Sequence, residues 1–260
     1  MTGPPGAGKS TITDRLVGRI RCDGDEVGVL AVDPTSPFTG GAILGDRIRM
    51  QDHSTDTGVF IRSMATRGHL GGLALATPHA VRVLDAAGKP WVIIETVGVG
   101  QVEVEVAAAA DTTIVVVNPG WGDAVQANKA GLLEIADVFV VNKADRPGRD
   151  DAVRDLRQMI EWSSARDWTP PIVETVATSG EGIDELWDAI VSHRAHLETD
   201  GRLAARRAAR LRDEIRSLVA ERLGARATAL CAGPGFDDLL DRVAARDVDP
   251  HTAADTLLKP

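Results

Sequence analysis

The chain has 260 residues, 43% apolar and 26% charged, which suits one large soluble domain or one domain with a small appendage. Its 29 basic side chains stand against 38 acidic ones, and a net charge of -9 argues against a protein devoted to wrapping nucleic acid or coating an anionic membrane. The two cysteines, Cys22 and Cys231, give neither a disulfide framework nor a zinc spacing. With no long apolar run and no basic-then-apolar leader, a cytoplasmic protein is expected.

In chain order, short Val- and Ile-rich runs alternate with longer amphipathic stretches. This pattern predicts an α/β fold with a mainly parallel sheet flanked by helices. Helix is expected from Ser10 to Arg21, then strands at Val27 to Val32 and Val59 to Arg62. A helix from Leu70 to Ala87 follows, then strands at Trp91 to Glu95 and Thr113 to Val117. Beyond these the expectations are helix from Ala124 to Leu133, strand from Val138 to Val141, and helix from Asp151 to Trp162. Strand from Ile172 to Val176 and helix from Ile183 to His196 complete the first domain, residues 1–196.

From 197 to 260 the pattern becomes helical and Arg, Ala and Leu rich. Ala204, Ala208, Leu211, Ile215, Leu218 and Val219 form one stripe between Arg202 and Leu223. Gly233-Pro-Gly235 interrupts it, and two short amphipathic pieces begin at Phe236 and Pro250. Nine arginines lie between Arg194 and Arg226, but Glu198, Asp200, Asp213, Glu214 and Glu221 interleave them. A solvated face with ion pairs explains them better than a nucleic-acid patch. The only close histidine pair, His193-x-x-His196, reads as helix-surface histidines and not as a metal site.

The strongest chemical signal is Gly3-Pro4-Pro5-Gly6-Ala7-Gly8-Lys9-Ser10, which satisfies G-x-x-x-x-G-K-[ST] in full. Such a loop turns backbone N–H groups around phosphate oxygens, and the following helix adds its positive end. Lys9 is the expected catalytic residue, reaching the terminal phosphates as a point charge, and the Ser10 hydroxyl is the expected magnesium ligand. A buried strand ordinarily feeds this loop. Here no residues stand before it to make one, so the first strand is expected to be missing.

Asn142-Lys143-Ala144-Asp145 follows a predicted strand. An Asp there accepts both the ring N–H and the exocyclic amine of guanine, and Asn142 can bond the opposite edge. Adenine would leave the carboxylate unpaired. Asp33 and Glu95 end strands and Asp46 lies in Gly45-Asp46-Arg47. All three are candidate magnesium acids, directly or through water, while a capping or surface role stays open for each. Gln101 is available to orient water, with a helix-start role equally open, and Trp121 is either buried or offered to a partner.

These residues resemble the MeaB/ArgK group of P-loop GTPases, which includes the methylmalonic aciduria type A protein. The likeness rests on Gly3 to Thr11, Asp33 to Gly41 running into Ile43 to Arg47, and Phe60 to Ser63 with Arg67 to Gly72. It continues through Glu95 to Gln101, Gly122-Asp123, Gln126, Lys129 to Gly131, Asn142 to Asp145, Ser179 to Gly182, Asp249-Pro250 and Ala253-Ala254.

The resemblance implies a SIMIBI-type GTPase domain, of the class of signal-recognition and nickel-delivery GTPases, with a helical C-terminal extension that makes a homodimer. It implies binding of GTP/GDP with Mg2+, slow hydrolysis, and gating of cobalamin loading or protection in methylmalonyl-CoA mutase or a related acyl-CoA mutase. By position, Gly3 to Thr11 hold phosphates and Asp145 reads guanine. Val176, Ala177 and Thr178 close over the base, with Val176 standing where many relatives carry Ser. Asp123, Gln126 and Lys129 fall in a loop that couples nucleotide state to the mutase, against the plainer reading of a solvated loop and helix start. Relatives carry a helical segment and a strand before the loop, so the chain is expected to be a truncation or to start further upstream. Rival functions are a nucleotide-dependent kinase of transport proteins and a nickel-delivery metallochaperone.

Overall fold

In the computed structural model, residues 1–33, 53, 55–65, 72–96, 109–120, 134–162 and 167–258 are described. They form two units, Met1–Ala208 and Ala209–Pro260. The first holds six strands: β1 (Val27–Asp33), β2 (Val59–Ala65), β3 (Trp91–Thr96), β4 (Ile114–Val117), β5 (Val138–Asn142) and β6 (Ile172–Thr175). It also holds helices α1 (Lys9–Cys22), α2 (Gly72–Ala86), α3 (Arg149–Trp162) and α4 (Ile183–Glu198). The expected helix from Ala124 to Leu133 lies outside the described residues.

The strands pair in parallel in two sets of three, β2-β1-β3 and β4-β5-β6. Met1 and Thr2 join the sets. The Met1 amine donates to the Ile94 carbonyl at 2.5 Å and Thr96 N–H donates to the Met1 carbonyl at 3.1 Å. On the other side Thr2 N–H donates to the Ile114 carbonyl, and Val116 N–H donates to the Thr2 carbonyl at 2.8 Å. As the sequence leads one to expect, no strand precedes the loop, and a short bridge stands in its place. Two residues, Met1 and Thr2, suffice to hydrogen-bond both flanking strands, because each offers one donor and one acceptor.

Strand alternation explains why the apolar runs are continuous. On β5, Val138 and Val140 face α1 and α4, packing with Ile12, Leu16, Ile20, Leu186 and Trp187. Phe139 and Val141 face the opposite side, with Ala152, Val153 and Leu156 of α3. Both sheet faces are covered, which is the arrangement parallel sheets require. Each fully buried side chain of this kind contributes roughly 2 kcal/mol of transfer free energy. The strand ends at the top of the sheet are thereby held on a firm platform.

His193 corrects an expectation. It is buried, not on the helix surface, with Nδ1 at 2.9 Å from Thr112 Oγ1 and Nε2 at 3.4 Å from Asp137 Oδ1. Burial lowers its pKa, against the opposing pull of Asp137. The 3.6-residue period places His193 on the inward face with Leu186, Ile190 and Leu197, a placement two histidine letters do not reveal.

Helix α5 (Arg202–Leu230) runs past the expected end at Leu223. Gly224 stands within it, since one glycine costs only about 1 kcal/mol in a 29-residue helix. Its first turns, in the first unit, carry ion pairs from Arg206 to Asp137 and from Arg207 to Asp111. No residue of α5 is buried, and Leu211, Ile215, Val219 and Leu223 repeat every fourth position as an exposed stripe. Helices α6 (Pro234–Ala244) and α7 (Pro250–Leu258) complete the second unit. Among the described residues no helix is long and apolar enough to cross a membrane.

Candidate nucleotide-binding site

The loop from Gly3 to Gly8 leaves the Met1–Gly3 segment at the carboxyl end of the sheet and enters α1 directly. Gly3, Gly6 and Gly8 all hold positive φ, at 137°, 74° and 95°. At two of them a side chain has no room. A Cβ on Gly3 would strike the Val116 carbonyl oxygen, and one on Gly8 would strike the Asn142 amide. The glycine spacing is therefore demanded both by backbone conformation and by close neighbours.

Lys9 is buried and folds back over the loop, donating from Nζ to the Gly3 carbonyl at 2.6 Å and the Pro4 carbonyl at 3.0 Å. Lys143 approaches from the other side, its Nζ donating to the Gly6 carbonyl at 2.6 Å from a left-handed backbone with φ 59°. Two ammonium groups thus grip the loop from the side of its carbonyls. Pro5 and Gly6 are exposed at the tip, and Thr11 is exposed on the first turn of α1.

At the start of α1 the Ser10 hydroxyl donates to Glu95 Oε1 at 2.5 Å. Glu95 is buried on β3, opposite Ala31 of β1 in the register. Hydroxyl and carboxylate oxygens side by side, next to a phosphate-type loop, are the hard-donor set that magnesium takes. Asp33 ends β1 at the same edge, where its backbone pairs with Ala65. Asp46 lies outside the described residues, as do Gln101, Trp121, Asp123, Gln126 and Lys129. Among the described residues no cluster of three or more His, Cys, Asp or Glu is gathered as a metal cage.

Asn142 ends β5, buried. Its Nδ2 donates to the Ala7 carbonyl at 2.7 Å, and its Oδ1 accepts from Thr175 Oγ1 at 3.1 Å and from Ala177 N–H at 3.2 Å. These contacts make Asn142 a strut between three segments. Asp145, three residues on, is exposed beyond the strand. Ala144 N–H donates to the Thr175 carbonyl at 3.0 Å, which joins the Asp145 loop to the turn after β6.

That turn holds Val176, Ala177 and Thr178. Val176 lies beyond the end of β6, where its N–H donates to the Glu181 carbonyl at 3.0 Å. With Ala177 N–H on Asn142, the amides of Val176 and Ala177 are both engaged within the protein. Gly182 closes the turn at φ 78°, where a Cβ would strike the Glu174 carbonyl. Two contributors were not read from sequence. Thr175 orients Asn142, and Arg15 donates from α1 to the carbonyls of Ala177 and Thr178 at 3.0 and 2.9 Å. No local motif carries Arg15, because its partners lie more than 160 residues away.

The family model described as methylmalonyl-CoA mutase-associated GTPase MeaB matches residues 1–232. A Pyrococcus abyssi protein whose assigned name is that of a GTPase is 54% identical over 263 residues, covering 100% of this chain and 81% of the relative. The GTPase ArgK of Escherichia coli is 40% identical over 213 residues, 78% of this chain and 63% of its own length. The methylmalonic aciduria type A homolog of Mus musculus, mitochondrial, is 38% identical over 80% of this chain and 51% of its own length. Among solved structures, that of a LAO/AO transport system kinase is similar with TM-score 0.72 and 29% identity, covering 98% of this chain and 78% of that one. HypB from Helicobacter pylori in complex with nickel, at 15% identity and TM-score 0.51 over 76% of this chain and 88% of that one, shares the fold alone.

Proposed function

The chain belongs to the MeaB family of methylmalonyl-CoA mutase-associated GTPases, and we propose that it couples its GTPase cycle to a cobalamin-dependent acyl-CoA mutase. It binds guanine nucleotide and hydrolyses GTP to GDP and phosphate. In the proposed role it gates cofactor loading or protection in methylmalonyl-CoA mutase or a related enzyme. The family match across residues 1–232 carries this reading. The likeness to the methylmalonic aciduria type A homolog supports it. The exposed stripe on α5 supports a homodimer formed through the helical extension.

The chemistry follows from the loop. Phosphoryl transfer to water needs positioning and charge neutralisation more than covalent help. Lys9 exchanges its hold on Gly3 and Pro4 for the terminal phosphates, and the loop amides and the N-terminus of α1 share the remaining charge. Ser10 and Glu95 are the described residues that would hold Mg2+, with Asp33 and Asp46 as further candidates, and the ion would neutralise charge between the phosphates. Asp145 selects guanine, and the Val176 to Thr178 turn closes beside it.

Single-turnover hydrolysis with and without purified methylmalonyl-CoA mutase tests the proposal. Slow turnover of the chain alone and faster turnover with the mutase are expected. A rate that the mutase leaves unchanged argues against the partnership. The similarity to a transport system kinase favours a second reading, transfer of the γ-phosphate to protein. Radiolabel recovered on a protein acceptor, and not as free phosphate, would establish it.

A further inference from the structure

The turn after β6 leaves the Ala177 and Thr178 carbonyls pointing toward α1. There one guanidinium takes both, Nε of Arg15 donating to Ala177 and Nη2 to Thr178. The fork suits this task, since its donors are fixed in one plane and bind two acceptors at once. No cis peptide bond occurs among the described residues. In a trans peptide the N–H lies antiparallel to the carbonyl of the same plane. Holding the Ala177 carbonyl toward Arg15 therefore turns the Thr178 N–H away from α1. Asn142 fixes the preceding amide through its Oδ1.

We propose that Arg15 is a positioning residue for nucleobase selection, fixing the Ala177–Thr178 peptide plane beside the Asp145 loop from its seat on the phosphate-binding helix. The inference rests on the reading of Asp145 as the guanine acceptor. It adds a physical link between the two ends of the nucleotide. Arg15 lies six residues after Lys9 on the same helix, so the element that receives the phosphates also sets the turn beside the base. Arg19, one turn further on, separates positioning from simple anchorage. Its Nε contacts Asp184 Oδ1 at 2.8 Å, at the start of α4, and leaves the two carbonyls alone.

The test compares Arg15→Ala, Arg15→Lys and Arg19→Ala with the unaltered chain. Competition against fluorescent GDP gives affinities for GTP, ATP and inorganic tripolyphosphate, and chase experiments give GDP release. Arg15→Ala is expected to lower GTP affinity and the preference for GTP over ATP about tenfold, and to speed GDP release by a similar factor. Tripolyphosphate, which has no base, is expected to bind as before. Arg15→Lys keeps one donor and should recover part of the preference, and it carries the test where the alanine variant fails to fold. Arg19→Ala should leave the preference intact.

An unchanged GTP-over-ATP preference in the Arg15 variants overturns the inference. So does a parallel loss of tripolyphosphate affinity, which would mean that Arg15 merely holds α1 in place. If the unaltered chain shows no preference for GTP over ATP, the guanine reading itself falls, an outcome distinct from failure of Arg15 alone.

Discussion

Asn142 Nδ2 donates to the Ala7 carbonyl at 2.7 Å, across 135 residues of sequence, while its Oδ1 receives Thr175 Oγ1 and Ala177 N–H. One buried amide thus ties the phosphate loop to the turn after β6. Replacing Asn142 by Ala strands a carbonyl, an amide and a hydroxyl in the interior, at roughly 3 kcal/mol in all. A lower urea midpoint and at least tenfold weaker GTP binding are expected from denaturation and equilibrium binding. Unaltered values of both would show that the strut is dispensable.

Asp145 is exposed beside a loop fixed by Ala144 and Lys143, so its carboxylate is free to be changed without disturbing the core. Asp145→Asn converts an acceptor pair into one acceptor and one donor, which opposes guanine and matches the extra carbonyl of xanthine. GTP affinity is expected to fall by two orders of magnitude or more, with XTP affinity rising. Retained GTP affinity would refute the guanine assignment.

The Ser10–Glu95 contact at 2.5 Å predicts dependence on a divalent cation. Chelation with EDTA should stop hydrolysis in the unaltered chain. Glu95→Gln should raise the magnesium concentration for half-maximal rate roughly tenfold, because a neutral amide is the weaker partner of a hard cation. Hydrolysis that persists in EDTA would contradict the assignment.

Burial lowers the pKa of His193 below its ordinary value of 6.5, against the raising effect of Asp137. Below that value the unfolded chain binds a proton that the buried imidazole resists, so stability falls as pH drops through this window and is regained above it. Denaturation midpoints should fall as pH is taken from about 7.5 to about 5, and the fall should be smaller in His193→Gln; an equal fall in both would contradict a buried neutral imidazole.

Much of the site was legible because phosphate and guanine recognition use contiguous strings. Gly3 to Ser10 and Asn142 to Asp145 carry their spacing in the sequence, and the apolar runs marked the strands that end beside them. What stayed hidden depends on contacts across the fold. The strut that Asn142 forms between Ala7 and Ala177 joins residues far apart in the chain, so no local string carries it. Arg15 is an ordinary helical arginine until the turn after β6 is placed against α1. The bridge made by Met1 and Thr2 leaves no mark in the sequence, because two residues form no run and act only through four backbone hydrogen bonds to β3 and β4. His193 sits inside for the same reason: helical phase, not residue type, decides which face is buried.

In the proposed function, nucleotide state and mutase binding are coupled. It is tested most directly by measuring the affinity of this chain for purified cobalamin-dependent methylmalonyl-CoA mutase with GDP and with a non-hydrolysable GTP analogue, and the affinity for each nucleotide with and without the mutase. By linkage, the factor by which nucleotide exchange changes mutase affinity must equal the factor by which the mutase changes nucleotide preference. Equal factors of at least about fivefold are expected, corresponding to roughly 1 kcal/mol of coupling. A factor of one in both measurements, with tight GTP binding intact, would contradict it.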